Sequence, residues 1–139
     1  MFFILISIFG IGTFSYSSEY FNARIISLIC YIIFSWVQIM SVKALGQNYS
    51  QNILIYRTHD LVQKGIYKYI RHPQYLAQIL ADLGAGFALF SYLVLPIALI
   101  EIPIFILRAK VEDKMMLEYF KDEFLAYKKK SGFMLPFIG

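Results

Sequence analysis

Cysteine and histidine are scarce in this sequence, which contains a single cysteine, Cys30, and two histidines, His59 and His72. One cysteine cannot form an intramolecular disulfide and leaves no basis for a cysteine-rich metal site. With so few histidines, we do not expect a structural zinc centre. The sequence also contains no glycine-rich phosphate loop, no GxSxG motif and no HExxH motif. These absences argue against the nucleotide-hydrolysing, serine-hydrolase and zinc-protease classes.

Charged residues are also few. They make up 16% of the chain, compared with about 25% in a soluble domain. Hydrophobic residues make up 59% and aromatic residues 18%, a composition that indicates extensive contact with lipid. The net charge of +4 is modest, and we expect membrane lipids rather than nucleic acid as partners. No internal repeat or low-complexity linker divides the chain, so we predict one domain over residues 1–139.

Four apolar segments predict an all-α integral membrane protein. The run from Ile25 to Val42 is long enough to span a bilayer and carries no charge. The first segment lacks the basic start and the cleavage site of a signal peptide, so we expect a retained helix. After Arg108, apolar residues recur at helical spacing among charges, which predicts a cytosolic amphipathic helix. The predicted spans cover approximately residues 2–16, 25–43, 74–90 and 93–108, and the amphipathic helix covers approximately residues 109–130.

The distribution of basic residues predicts the orientation of these spans. If the chain starts inside the cell, all of the thirteen lysines and arginines except Arg24 lie on the cytoplasmic side. The protein is then expected in the cytoplasmic membrane, with its polar segments facing the cytosol. The same orientation places the polar stretch from His59 to Tyr75 on the same side as the amphipathic helix.

The stretch from His59 to Tyr75 is the most polar part of the chain. Gly65 permits a tight turn, and Pro73 suits the first turn of a helix. Arg71 and His72 are therefore expected at the N-terminus of a helix that begins near Pro73, where free amide groups favour an anion. A basic loop that only anchors the chain to lipid headgroups fits the same residues.

Several charged residues lie in or beside apolar segments. Asp82 and Glu101 should face a cavity or a partner, or else pair with a basic group or lie near the interface. Arg108 and Glu112 are four residues apart and share a helix face. One interpretation is that these two residues form a surface salt bridge and nothing more. Because Arg108 ends an apolar segment, its guanidinium is also well placed to hold a carboxylate or a phosphate.

Two blocks of residues resemble the isoprenylcysteine carboxyl methyltransferase family. The resemblance covers roughly residues 46–138, and both blocks have the family's order and spacing. The first block comprises Leu61-Val62, Gly65, Tyr67, Arg71-His72-Pro73 and Tyr75. The second comprises Arg108, Glu112-Asp113, Leu117, Phe120, Tyr127 and Leu135-Pro136-Phe137-Ile138. The chain departs from the family pattern at Ala77, at Phe120-Lys121 and at Ser131-Gly132.

This resemblance implies a membrane enzyme that transfers a methyl group from S-adenosylmethionine to the carboxylate of a prenylcysteine-like or other lipidic substrate. Arg108 would hold the substrate carboxylate. The implied cofactor contacts are His59, Asp60, Leu61, Val62, Tyr67, His72, Pro73, Gln74, Tyr75 and Glu112, with Asn52 as a weaker match.

Three other functions are considered. A phospholipid or amine N-methyltransferase shares the Arg-His-Pro block, and in it Arg108 would bind a phosphate. An NADPH-dependent membrane reductase can carry a similar C-terminal block. A non-catalytic membrane subunit could retain the fold without binding S-adenosylmethionine.

Overall fold

The computed structural model describes residues 2–15, 17–46 and 60–139, and these residues form five α-helices. The helices are α1 (Phe2–Ile8), α2 (Phe21–Leu45), α3 (Pro73–Leu89), α4 (Val94–Phe120) and α5 (Asp122–Lys128). Short 3-10 turns cover Ser18–Tyr20 and Gly65–Lys68. Within the described residues there is no β-strand, only isolated bridges, which confirms the predicted all-α class.

The chain forms two compact units. The first unit comprises Met1–Trp36 and Ala77–Ile104, and the second comprises Val37–Leu76 and Phe105–Gly139. Each unit therefore combines two segments that are distant in sequence. The residues implied in function all belong to the second unit.

The helix α2 agrees best with the predicted spans. Ser17 caps the 3-10 turn before it, and Gly46 follows its last residue with a φ of 56°, a conformation that commonly ends helices. Among the described ranges, Ser18–Leu45 is the one helical stretch long and apolar enough to cross a membrane. The predicted number of four spans is therefore not confirmed.

The helix α1 is shorter than predicted. A helix over residues 2–16 was expected, but α1 ends at Ile8, so the prediction is wrong beyond that residue. Gly10 and Gly12 have φ values of 81° and 72°, which an α-helix cannot contain. At Gly12 an added Cβ would come within 2.1 Å of the side chain of Leu93, so the turn also depends on the absence of a side chain.

Serine hydroxyls satisfy the backbone at this turn in the first unit. The Ser91 hydroxyl donates to the Gly12 carbonyl at 3.1 Å and lies 2.8 Å from the Ser7 hydroxyl. It also accepts hydrogen bonds from the amides of Leu93 and Val94, at 3.2 and 3.1 Å, and so caps the start of α4. Ser7 and Ser91 are both buried. This cluster of hydroxyls fixes the turn after α1 against the connection between α3 and α4.

Small residues allow close helix packing in the first unit. A Cβ added at Gly84 of α3 would lie 2.9 Å from the Tyr31 amide nitrogen and 3.0 Å from the Ser27 carbonyl oxygen of α2. The backbones of the two helices therefore approach closely at a glycine, as is common between membrane helices. Asp82 and Glu101 hydrogen-bond to each other in this unit, and Gln78 donates to Asp82. These two carboxyl groups are thus partners of each other.

The helix α4 runs through the boundary predicted between the last span and the amphipathic helix. It is continuous over 27 residues, so the prediction of a separate helix over residues 109–130 is wrong. No helix-breaking residue occurs between Leu107 and Phe120. The break comes at Lys121, whose φ of 48° starts the separate helix α5. The apolar face expected for the amphipathic helix included Val111, Leu117, Phe124 and Tyr127. Of these residues, Phe124 and Tyr127 are buried, whereas Val111 and Leu117 are exposed.

Candidate active site

The start of α3 pairs with the C-terminal segment of the chain in the second unit. The Gly132 amide donates to the Tyr69 carbonyl at 2.9 Å, and the Arg71 amide donates to the Gly132 carbonyl at the same distance. The His72 amide continues the pairing to the Phe133 carbonyl at 3.1 Å. A Cβ at Gly132 would lie 1.7 Å from the Leu135 carbonyl oxygen, so the turn that follows Gly132 requires glycine at this position. As predicted, α3 begins at Pro73, immediately after Arg71 and His72.

All three guanidinium nitrogens of Arg71 donate hydrogen bonds within the protein. The residue is 6% exposed. Its Nε donates to Asp113 at 3.2 Å, and its Nη1 donates to the carbonyls of Ser131 and Lys128 at 2.6 and 3.4 Å. Its Nη2 donates to the carbonyl of Gly139 at 3.0 Å. Arg71 therefore joins α3, α4 and the C-terminal segment and has a structural role.

The imidazole of His72 lies between two carboxylates of α4. Its Nε2 is 2.7 Å from Asp113 Oδ1, and its Nδ1 is 3.6 Å from Glu112 Oε2. Residues at adjacent helix positions point about 100° apart. A ring that lies between these two directions can contact both side chains, and His72 does so. The His72 ring also stacks on Tyr75, with centroids 5.9 Å apart.

This arrangement favours the charged forms of all three groups. Burial alone lowers the pKa of His72, but the hydrogen bonds and charges of Asp113 and Glu112 outweigh it and raise the pKa above its usual value. Burial likewise opposes ionisation of Glu112, yet His72 and Tyr75 hold its pKa below the usual value. Burial also raises the pKa of Asp113, but His72 and Arg71 lower this pKa by a larger amount, so the net shift is downward. All three shifts thus favour an imidazolium flanked by two carboxylates.

A second set of contacts links Glu112 to Arg108. The Tyr75 hydroxyl donates to Glu112 Oε1 and accepts a hydrogen bond from Arg108 Nε at 2.8 Å. Arg108 Nε is 3.5 Å from Glu112 Oε1, the predicted pair one helical turn apart. The Tyr75 ring stacks on Phe105 at 5.3 Å. Because the side chain of Arg108 is 35% exposed, its guanidinium is held from one side while remaining accessible.

A cavity of about 70 Å³ lies beside His72 within the second unit. Most of its lining is apolar, and its polar lining includes two acidic side chains. The lining residues are Leu45, Asp60, Leu61, Val62, Tyr67, Arg71, His72, Asp113, Met116, Phe120, Phe124 and Tyr127. The Tyr127 hydroxyl donates to the Tyr67 carbonyl at 2.6 Å, which fixes the Gly65–Lys68 turn to α5.

The structure brings most of the predicted site residues into two adjoining groups. Asp60, Leu61, Val62, Tyr67 and His72 line the cavity. Tyr75, Glu112 and Arg108 form the hydrogen-bonded group next to His72.

Two predicted contacts are placed differently. Pro73 is fully buried in the first turn of α3, and neither Pro73 nor Gln74 lines the cavity. The predictions for Asn52 and His59 lie outside the described residues.

Sequence reasoning missed Asp113 and the aromatic lining. Asp113 contacts both Arg71 and His72, although its position next to Glu112 suggested a different direction. Phe120 and Phe124 were expected only on an apolar helix face, and Met116 was not identified. Their spacing along the chain was a usable signal, because residues 113, 116 and 120 share one face of a helix.

Comparisons with known proteins indicate the family of this chain. The model of the isoprenylcysteine carboxyl methyltransferase family matches residues 25–118, more than half of the chain. The protein-S-isoprenylcysteine O-methyltransferase of Saccharomyces cerevisiae is 29% identical over 133 residues, which cover 90% of this chain and 54% of that protein. The human enzyme of the same name is 33% identical over 82 residues, covering 58% of this chain and 29% of that protein.

A solved structure shows the same fold. The eukaryotic intramembrane Ras methyltransferase, an isoprenylcysteine carboxyl methyltransferase, matches with a TM-score of 0.74 and 25% sequence identity. The match covers 83% of this chain and 42% of that one. The chain thus spans about half the length of these relatives or less. The match of the family model over more than half of the sequence shows that the chain belongs to the isoprenylcysteine carboxyl methyltransferase family.

Proposed function

We propose that this protein transfers a methyl group from S-adenosylmethionine to the carboxylate of a prenylcysteine-like lipidic substrate at the membrane. The observation that carries the proposal is the position of Arg108. Its guanidinium is partly exposed, is oriented by the Tyr75 hydroxyl and follows the apolar run of α4. A guanidinium in this setting suits a carboxylate that arrives on a lipid-like molecule.

The residues beside His72 fit S-adenosylmethionine chemically. The cofactor carries a sulfonium, an amino group, a ribose and an adenine. Asp60 supplies a carboxylate for its positive groups or ribose hydroxyls, and Leu61, Met116 and Phe120 supply apolar surface for the ring. Pockets for whole small ligands measure about 300–1,000 Å³. The cavity of about 70 Å³ would therefore hold one part of the cofactor, with the rest along its rim.

When bound, S-adenosylmethionine would supply a methyl carbon attached to a sulfonium sulfur. The substrate oxygen would bond to this carbon, and the sulfur would leave with the electron pair of the broken C–S bond. Arg108 orients the attacking carboxylate, which is already ionised near neutral pH and needs no general base. Tyr75 fixes Arg108 Nε and at the same time donates to Glu112. Glu112 in turn contacts His72, which lines the proposed cofactor cavity. Phe105, stacked on Tyr75, excludes water from this side of the pair.

The names of the relatives support the carboxylate substrate. They are protein-S-isoprenylcysteine O-methyltransferases, and they give no support to phospholipid N-methylation or to NADPH-dependent reduction. We further propose that the predicted spans lie in the cytoplasmic membrane with the active site facing the cytosol, as the positive-inside distribution indicates.

The first test is binding of S-adenosylmethionine to the detergent-purified protein by calorimetry, with NADPH in a parallel titration. We expect binding of S-adenosylmethionine alone. The Glu112→Ala variant should bind at least tenfold more weakly, because it removes a carboxylate next to His72. Glu118 is an exposed glutamate of the same helix, so Glu118→Ala is the matched control and should bind normally. Equal affinity of the two variants would remove Glu112 from the site, and binding of NADPH alone would overturn the proposal.

The second test measures methyl transfer to N-acetyl-S-farnesylcysteine by product mass. Arg108→Ala should retain cofactor binding within about threefold and lose at least about a hundredfold in turnover, since one charge-assisted pair is worth a few kcal/mol. Lys64→Ala, an exposed cation outside the site, should be unaffected. Near-normal turnover in Arg108→Ala would contradict the role of this residue. Cofactor binding without any methylated product from the wild-type chain would favour a non-catalytic protein.

A further inference from the structure

A second pocket lies in the second unit, separate from the proposed cofactor cavity. Its volume is about 440 Å³, which is in the range of small-ligand sites. It shares only Arg71, Asp113 and Phe124 with the cavity beside His72. Lys110, Lys114, Leu117, Lys128, Phe133 and Gly139 complete its lining, and we call it the lysine pocket. The methyl-transfer proposal assigns it no role.

The charges in the lysine pocket are not balanced by the protein. Within the described residues, neither Lys110 nor Lys114 nor Lys128 has a carboxylate at salt-bridge distance. Asp113 is the acidic residue among those that line the pocket, and its two oxygens are occupied by Arg71 and His72. Lys128 is near enough to Asp113 for an electrostatic interaction, but one carboxylate that already contacts Arg71 and His72 does not balance three lysines.

Lys110 and Lys114 are also arranged unfavourably unless an anion is present. They are one turn apart on α4, where like charges repel each other and destabilise a helix. Lys128, at the end of α5, brings a third positive charge to the same pocket. Lysines are long and flexible, and three of them around one concave surface suit an anion with several oxygens.

The position of the lysines along α4 points to the membrane interface. The apolar run of α4 ends at Leu107, and Lys110 and Lys114 follow it by about 4.5 and 10.5 Å along the helix axis. The polar headgroup layer of a bilayer is about 5–8 Å thick on each side. Lysine side chains can extend to that layer from either position.

The segment that borders the pocket carries apolar side chains without protein cover. Leu135, Phe137 and Ile138 are 51%, 73% and 63% exposed, and they lie between two residues that line the pocket, Phe133 and Gly139. Exposed apolar side chains next to a group of lysines are typical of surfaces that bind anionic membranes.

We propose that the lysine pocket binds the phosphate of a net-negative phospholipid headgroup, with Leu135, Phe137 and Ile138 in contact with the adjoining acyl region. The three lysines provide the charge, and the apolar segment selects a lipid over a free anion. This inference concerns lipid binding alone and does not require methyl transfer.

The test uses native mass spectrometry of the detergent-purified protein with short-chain phosphatidylglycerol, without cofactor or methyl acceptor. The wild type should bind phosphatidylglycerol at least tenfold more tightly than phosphatidylcholine of the same chain length. The combined variant Lys110→Gln, Lys114→Gln, Lys128→Gln should lose this preference. The matched control, Lys64→Gln, Lys68→Gln, Lys129→Gln, removes the same charge outside the pocket and should change the affinity less than twofold.

Several outcomes would overturn the inference. Equal losses in the two combined variants would show a general charge effect, and equal affinity of the wild type for the two lipids would show no headgroup site. Displacement of phosphatidylglycerol by equimolar inorganic phosphate would assign the pocket to a free anion. If the combined variant does not fold, the three single Lys→Gln variants provide the test. Each should then weaken phosphatidylglycerol binding at least twofold, and normal binding by all three would contradict the proposal.

Discussion

The two units differ in the kind of polar group that they bury. In the first unit, the buried Ser7 and Ser91 are neutral hydroxyls that bond to nearby backbone groups and to each other. The second unit also buries hydroxyls, at Ser41 and Ser131, but among the described residues only this unit buries ionisable side chains. These are Arg71 and His72, which contact the partly buried Asp113. Losing a neutral hydrogen bond costs about 1 kcal/mol, whereas leaving a buried charge without its partner costs about 3–5 kcal/mol.

The buried polar groups of the first unit serve the structure, whereas those of the second unit include charged groups of the proposed site. Neutral hydroxyls are sufficient to close turns and cap helices in the first unit. The second unit contains a group of fixed charges that are costly to bury, and these charges lie beside two cavities. Perturbed titratable groups in a cleft are typical of functional sites.

The largest expected effect is at Arg71. The Arg71→Ala variant removes every side-chain donor to Asp113, Ser131 and Gly139 that this residue supplies and leaves Asp113 buried with less compensation. We expect a loss of about 3–5 kcal/mol in the free energy of unfolding. Denaturation of the detergent-solubilised protein measures it. Lys68→Ala, at an exposed position nearby, should change the stability by less than about 0.5 kcal/mol. Similar stabilities for the two variants would contradict the distinction between the units.

A steric change in the first unit should cost less. Gly84→Ala places a Cβ against the backbone of α2, which cannot easily move away, and we expect a loss of about 1–3 kcal/mol. Gly86→Ala is the matched control, because the nearest atoms to its added Cβ, at 2.7 and 2.9 Å, belong to the flexible side chain of Leu95. The smaller loss should be at Gly86. The reverse order in melting temperature would argue against close packing of α3 on α2.

Removing a buried neutral hydroxyl should have a smaller effect again. Ser91→Ala removes the cap of α4 and the bond to the Gly12 carbonyl, and we expect a loss of about 1–2 kcal/mol. Ser27→Ala removes an exposed hydroxyl that bonds within its own helix, to the Ala23 carbonyl, and should be nearly neutral. A loss at Ser91 as large as that at Arg71 would remove the contrast between neutral and charged burial.

The smallest expected effect is a gradual dependence of stability on pH. The folded-state pKa of His72 is raised above 6.5, so its contribution is complete below pH 6.5 and is lost as the pH rises through the folded-state pKa. The pKa values of Asp113 and Glu112 are lowered from 3.8 and 4.5, so their contributions are complete above these values and are lost as the pH falls through the folded-state pKa values. Stability should be highest between these limits.

Melting temperatures across the pH range measure this dependence. The His72→Gln variant should lose the decline on the alkaline side, and His59→Gln should retain it. An unchanged alkaline decline in His72→Gln would assign the effect to another group.

The sequence predicted those parts of the fold that depend on local patterns. The apolar run of α2, the start of α3 at Pro73 and the break between α3 and α4 are encoded in contiguous residues. The end of α1 at Ile8 was missed because the segment is apolar throughout, and only the backbone conformation of Gly10 and Gly12 shows the turn. The continuity of α4 was missed because a change from apolar to charged residues was taken as the end of a helix.

The site was predictable where the residues carry a family pattern. His72, Tyr75, Arg108 and Glu112 were identified from that pattern and lie together in the structure. The role of Asp113 was not predictable, because it depends on where the His72 ring lies between two adjacent positions of α4. No periodicity within one segment contains that information.

The pairing of Arg71 with the C-terminal segment has a consequence for the order of folding. Its carbonyl partners on Lys128, Ser131 and Gly139 lie 57 to 68 residues further along the chain. A chain synthesised from its N-terminus therefore makes α3 long before these partners exist. Until they arrive, Arg71 and the amide of His72 must remain solvated or be held by other molecules. The second unit is thus expected to complete its structure only after the residues up to Gly139 have been synthesised.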